Sequence, residues 1–149
     1  MVEFEVRAGR EGDADAVRRL GLEWQREGAT LGHVADSVAA YVTAIRGLSG
    51  IAEANGAPIG YFTASLHAEH LAVMPRGARY VELDELYVVA GWRRRGVGSA
   101  LLDFLKQRAG ETGVGHLHVF SASRDLESAL AFYRRHGFEP WAFQAIAEI

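Results

Sequence analysis

Cysteine is absent from this chain of 149 residues. Without a thiol there is no disulfide framework, no thiolate nucleophile and no cysteine metal site. Long apolar runs are absent as well. No segment is long and apolar enough to cross a membrane as a helix, and the opening MVEFEVR has no stretch of the signal-peptide kind. The expectation is a cytoplasmic protein with no membrane partner. Basic charge is not in excess: 16 Lys and Arg against 19 Asp and Glu leave a net charge of −3. That argues against nucleic acid as the main partner. Internal repeats and low-complexity segments are missing too. What is present is ample apolar material, 49% of the residues, at a length that suits one domain over 1–149. A domain of this size buries roughly 70% of its unfolded surface, enough for an independent core.

The chain is organised around the stretch from Val81 to Leu105. Val81 and Leu83 alternate with polar residues at the period of a half-buried strand. The apolar phase then slips, because Leu86 and Val88 come one residue late. A slip of this kind predicts a β-bulge near Asp84–Glu85, which bends the strand and leaves backbone groups open to a ligand. Arg93-Arg94-Arg95-Gly96-Val97-Gly98-Ser99 follows and leads into a helical pattern at Val97, Leu101, Leu105 and Ala109, flanked by Leu102 and Phe104. The first N–H groups of a helix have no intrahelical partner, and the helix start carries about half a unit of positive charge. Glycine admits a phosphate close to the backbone, and the arginines raise the local potential. Together they make an anion pocket suited to the pyrophosphate of a nucleotide-like cofactor. The residues alone leave a plainer reading open, since glycines also make ordinary turns and arginine runs also coat surfaces. Other phosphate loops fit badly. Gly91 and Gly96 have Walker spacing, but Val97-Gly98 stand where Lys and Ser or Thr are required, and Leu101 replaces the third glycine of a dinucleotide fingerprint.

This stretch resembles the cofactor-binding motif of the GNAT superfamily of N-acetyltransferases, Arg/Gln-x-x-Gly-x-Gly/Ala after a Leu-x-Val strand. Here the match is Arg93-x-x-Gly96-x-Gly98 after Leu86-Tyr87-Val88. The family's usual proline two residues after the valine is Ala90. A second segment, Ala129-x-x-Phe132-Tyr133-x-x-x-Gly137-Phe138, resembles the family's Asn-x-x-Ala-x-x-Leu-Tyr-x-x-x-Gly-Phe, with Leu126 at the asparagine position. The resemblance is strongest from Val81 to Phe138 and weak before Gly50. It implies the GNAT fold, acetyl-CoA as co-substrate, no metal, and an amine acceptor.

Periodicity supplies the layout beside it. Phe4 and Val6 belong to a first strand. Asp13 and Asp15 open a helix that buries Val17, Leu20, Gly21 and Trp24 and breaks at Gly28 to Gly32. Val34, Val38, Tyr41, Val42 and Ile45 share one side of a second helix, and the segment around Gly28–His33 is a candidate lip for a substrate cleft. Gly47 to Gly50 end this region. Ile51–Ala54 and Ile59–Leu66 are strands joined at Asn55-Gly56, a strong hairpin signal. His67 to Ala78 is a loop. Its His67-x-x-His70 spacing invites a metal reading, but the pair alone is a weak signal and no metal site is expected. His116–Ser121 is a fifth strand, with Leu117 and Val119 on one face and His116, His118 and Phe120 on the other. Asp125 caps a last helix whose inner face carries Leu126, Ala129, Leu130 and Tyr133. Gly137 ends it, and Phe143–Ile149 is a closing strand. The result is an α/β (α+β) domain: a mixed, mostly antiparallel sheet flanked by helices, with strands four and five parallel.

The chemistry implied by the family can be tied to residues. Arg93, Arg94, Arg95, Gly96, Val97, Gly98 and Ser99 are expected to hold the pyrophosphate, and backbone groups of Leu86, Tyr87 and Val88, freed by the bulge, the amide-rich pantetheine arm. Holding the two reactants together supplies up to about 7–11 kcal/mol. An amine of pKa about 10.4 must lose a proton to attack, at a cost of about 4.6 kcal/mol at pH 7. The candidates to take it are Glu82 and Glu85, with Asp84 assigned to substrate binding. Glu82 precedes Arg93 by eleven residues, a spacing some members use, and is slightly preferred. Any one of these carboxylates can equally serve only to bind a cationic acceptor. Tyr133 is the expected proton donor to the leaving thiolate, with Tyr87 as an alternative. The acceptor is a small-molecule or peptide amine, an amino sugar, polyamine or lysine among others, and a homodimer is compatible with the sequence. Two other readings stand beside the enzyme: a non-catalytic acyl-CoA-binding or sensing domain, suggested by Leu126, and a dimeric interaction module.

Overall fold

The computed structural model describes residues 3–68 and 73–149. In chain order the elements are β1 (Glu5–Ala8), α1 (Ala14–Glu27), α2 (Val38–Arg46), β2 (Leu48–Ala54), β3 (Ala57–His67), β4 (Tyr80–Val88), α3 (Val97–Glu111), β5 (Leu117–Val119) and α4 (Leu126–Arg135). Five strands form one sheet in sequence order, antiparallel from β1 to β4 and parallel between β4 and β5. The mixed sheet expected from the pattern is therefore present.

The sheet separates two clusters. On one face Val81 and Leu83 meet Val97, Leu101, Leu102 and Leu105 of α3. On the other Tyr61 and Tyr87 meet Val17 and Leu20 of α1 and Tyr41 and Ile45 of α2. The bulge is where the phase slip predicts it. Thr63 lies opposite Glu85 and Ala64 opposite Leu83, so Asp84 is the extra residue. It lets Leu83 and Leu86 both face α3 while Glu85 and Tyr87 face the other helices. Asn55 and Gly56 close the β2–β3 hairpin with φ of 51° and 75°, the left-handed pair a two-residue turn needs.

Several boundaries differ from the sequence reading. The strand β2 begins at Leu48, so Gly50 lies inside it. The Ser37 side chain accepts from the Ala40 N–H and starts α2 at Val38, leaving Val34 outside the helix and 68% exposed. The strand β5 has only three residues, because the chain beyond it turns to pair elsewhere: Leu31 donates to the Ala122 carbonyl at 2.9 Å and Arg124 to that of Ala29 at 3.0 Å. Leu126 is 57% exposed, not on the inner face: it is the first residue of α4, directly after the Asp125 cap. The closing strand does not form. Phe143 and Ile146 are 92% and 91% exposed, since alternation specifies a face but a strand also needs an edge to pair with.

Candidate active site

Strand β4 pairs with β5 only from Val81 to Leu83. From Asp84 onward its β5-side edge has no strand partner among the described residues. This corrects the expected origin of the open backbone at Leu86, Tyr87 and Val88. Those residues keep their β3 partners Phe62, Tyr61 and Gly60, and it is the early end of β5, rather than the bulge, that opens their other side. An extended, amide-rich chain fits such an edge.

The edge leads into the basic turn. Arg94 and Gly96 take φ of 60° and 84°, so Arg95 sits between two left-handed residues, a turn type that concentrates N–H groups. The N–H groups of Val97, Gly98 and Ser99 precede the first intrahelical bond, from Ala100 to the Gly96 carbonyl at 2.9 Å. Among the described residues, chain neighbours aside, no atom lies within 4 Å of where a Cβ on Gly96 would stand, so the helix start is open on that side. A Cβ on Gly98 would sit 3.6 Å from Phe132, which brings α4 against this turn. The arginines are not equivalent. Arg93 donates to Glu27 at 2.6 Å and to the Val88 carbonyl at 2.9 Å, which spends its fork on positioning the turn. Arg95 stacks over Trp92 and reaches Glu3 at 3.3 Å. Arg94 has no ion-pair partner among the described residues.

The carboxylates lie on the sheet face away from α3. Glu85 is partly buried and accepts from the Tyr61 hydroxyl at 2.6 Å, with Tyr41 at 3.3 Å. Burial pushes its carboxyl above the usual range, against the opposing effect of the Tyr61 hydrogen bond. Tyr61 and Tyr41 are in turn held protonated, first by burial and then by the Glu85 charge. Asp84 accepts from Ser65 at 3.0 Å and is also pushed up by burial. Glu82 stands 3.6 Å from His67 and opposite His118 in the β4–β5 register. His67, Glu82 and Asp84 offer ligand atoms within 4.8 Å of one another. The carboxylates beside His67 come from β4, while Glu69 and His70 lie outside the described residues.

Tyr133 packs between Phe132 and Phe138. Burial pushes its hydroxyl up to about 12, and that hydroxyl has no hydrogen-bond partner among the described residues. The Gly28–His33 segment bridges to the β5–α4 connection through Thr30 and Ser123, and Trp24 stacks on His33 at 3.9 Å.

Residues 46–140 match the acetyltransferase (GNAT) domain family. The chain belongs to the GNAT acetyltransferases. As a GNAT enzyme it is an N-acetyltransferase with acetyl-CoA as donor, and the family's reaction uses no metal. Aminoglycoside acetyltransferase AAC(6')-Iy, in complex with a CoA-linked bisubstrate analog, shares 20% identity over 99% of each chain at a TM-score of 0.78. A ribosomal-protein-alanine N-acetyltransferase from Brucella melitensis biovar Abortus shares 18% over 98% of this chain and 99% of that one, at 0.70. A transcriptional regulator from Bacillus halodurans shares 17% over 98% and 99%, at 0.74. At these identities the likeness is one of fold. No curated protein matches significantly.

Around the GNAT motif stand side chains that the motif's own pattern does not point to. Glu27, Tyr41, Tyr61 and Ser65 surround the motif residues but come from distant elements. Only Tyr61, an aromatic with a polar tip inside a strand pattern, carried any signal. Its hydroxyl needs a buried partner, and the sequence does not say which.

Proposed function

We propose that this acetyltransferase acetylates a cationic primary amine by direct attack within a ternary complex. The carrying observation is the open β4 edge, flanked by the basic turn on one side and by Glu82, Asp84 and Glu85 on the other. Pantetheine lies along the edge, with the diphosphate at Gly96–Ser99 and Arg94 beside it. The acceptor's ammonium group meets the carboxylate face, which suits amino sugars, polyamines or lysine. Glu85 takes the amine proton, directly or through water; its raised pKa and position at the bulge support it over Glu82. The nitrogen lone pair forms the bond to the acetyl carbon and the carbon–sulfur bond breaks; Tyr133 gives its proton to the departing thiolate and is restored by the second proton that the nitrogen loses as the amide forms. Neighbours of this fold named as aminoglycoside and ribosomal-protein-alanine acetyltransferases are consistent with both small and protein acceptors. A cytoplasmic location and a homodimer belong to the same reading, the exposed Trp141, Phe143 and Ile146 giving a second copy apolar surface to cover.

A thiol-release assay over aminoglycosides, polyamines and N-terminal peptides tests it. Turnover is expected with at least one polycationic amine and to weaken with salt. Tight CoA binding with no turnover on any amine would favour the acyl-CoA-sensing alternative instead.

A further inference from the structure

Ser99, the third residue of α3, points its hydroxyl at α4 rather than back along its own helix. Its Oγ lies 3.0 Å from His136 Nε2, and His136 Nδ1 lies 3.7 Å from Asp103 Oδ1. The imidazole side chain is only 13% exposed and packs on Phe132, the ring that also covers Gly98. The charged groups facing it are Asp103 and Lys106 of α3, the lysine through the His136 carbonyl, while Arg135 of α4 stands over the Phe132 ring. Nothing in the cofactor motif includes His136; it enters through the fold.

We propose that His136 is a positioning residue that turns Ser99 into a hydrogen-bond donor for the cofactor diphosphate, taking up a proton as the diphosphate binds. The proton count decides this. With Asp103 facing Nδ1, a neutral imidazole keeps its hydrogen there, because a bare lone pair toward a carboxylate is repelled. Nε2 then accepts the Ser99 hydroxyl hydrogen, and the hydroxyl cannot donate to an anion. A protonated imidazole donates from both nitrogens, to Asp103 and to Ser99. The Ser99 hydrogen is then released toward the helix start, where the N–H groups of Val97, Gly98 and Ser99 already favour negative charge. Anion binding therefore favours the protonated ring. Diphosphate affinity is higher with the ring charged than with it neutral, and falls as the ring loses its proton.

The inference rests on the diphosphate reading of the α3 start, and the test separates the two. Dephospho-CoA is the probe, because the 3′-phosphate monoester of CoA itself titrates near pH ~6. Titration calorimetry between about pH 5.5 and 7.5, in buffers of different ionisation enthalpy, gives affinity and proton uptake together. The unmodified protein is expected to lose about three- to tenfold in affinity over that range and to take up a fraction of a proton at the upper end. His136→Gln, whose amide donates to Ser99 at any pH, is expected to show a flat profile and no uptake. A variant that keeps the wild-type profile, or a wild type with no uptake, overturns the inference. Failure of dephospho-CoA to bind at all overturns the diphosphate reading with it. A readout independent of any variant is the His136 ring resonance, whose titration midpoint rises with dephospho-CoA bound; an unmoved midpoint overturns the role equally.

Discussion

At the scale of single residues, protonation states do the sorting. Tyr133 has a hydroxyl held up to about 12 by burial, so it carries its proton at neutral pH and has it to give. Tyr133→Phe removes that proton and little volume. Turnover is expected to fall by about 10²-fold or more while CoA affinity changes by less than about threefold. Equal losses in both, measured by steady-state kinetics and calorimetry, would assign the ring to packing. Glu85 is the opposite case. Burial raises its carboxyl above the usual range, so it is ionised, and competent as a base, only above that raised value. The rate in kcat/KM is therefore expected to rise with pH through a point above the ordinary carboxylate range. Glu85→Gln should lower turnover and abolish that limb. Persistence of the limb would move the role to Glu82 or Asp84.

At the scale of elements, the turn before α3 depends on backbone more than on side chains. Gly96 has φ of 84°, and the space over it is empty. The Cβ of a β-branched residue there has no described atom within 4 Å beyond its chain neighbours, but the residue costs roughly 1–2 kcal/mol in the left-handed region. It also places two methyl groups beside the helix start, where the proposed diphosphate would sit. Gly96→Val is expected to leave a folded protein by circular dichroism with CoA affinity reduced beyond about 10²-fold. Unchanged affinity would remove the diphosphate from this turn. The same element shows why Arg93 and Arg94, neighbours in sequence, differ in task. Arg93 is drawn to Glu27 of α1 and ties the turn to the domain, whereas Arg94 has no ion-pair partner among the described residues.

At the scale of the whole molecule, two clusters on opposite sheet faces hold the domain together, and the last residues belong to neither. Trp141 touches the rings of His116 and His118, but Phe143, Ile146 and Ile149 are exposed. Removing residues 142–149 is expected to change the monomer's urea-unfolding free energy by less than about 0.5 kcal/mol. A larger, concentration-dependent loss would mean that a second copy covers the tail.

Local pattern was enough for much of this domain. The phase slip at Asp84–Glu85, the Asn55-Gly56 hairpin, the glycine-led helix and the Val97-Leu101-Leu105 stripe are all encoded by residues a few positions apart, where backbone sterics and side-chain period act alone. The partners were out of reach of that logic. Glu27 beside Arg93, Tyr61 on Glu85, the carboxylates around His67 and His136 behind Ser99 are juxtapositions across tens of residues. The end of β5 and the fate of the apolar tail were likewise decided by which edges and loops competed for hydrogen bonds. A sequence states what each segment prefers, but which buried charge meets which donor follows only once the sheet has brought the segments together.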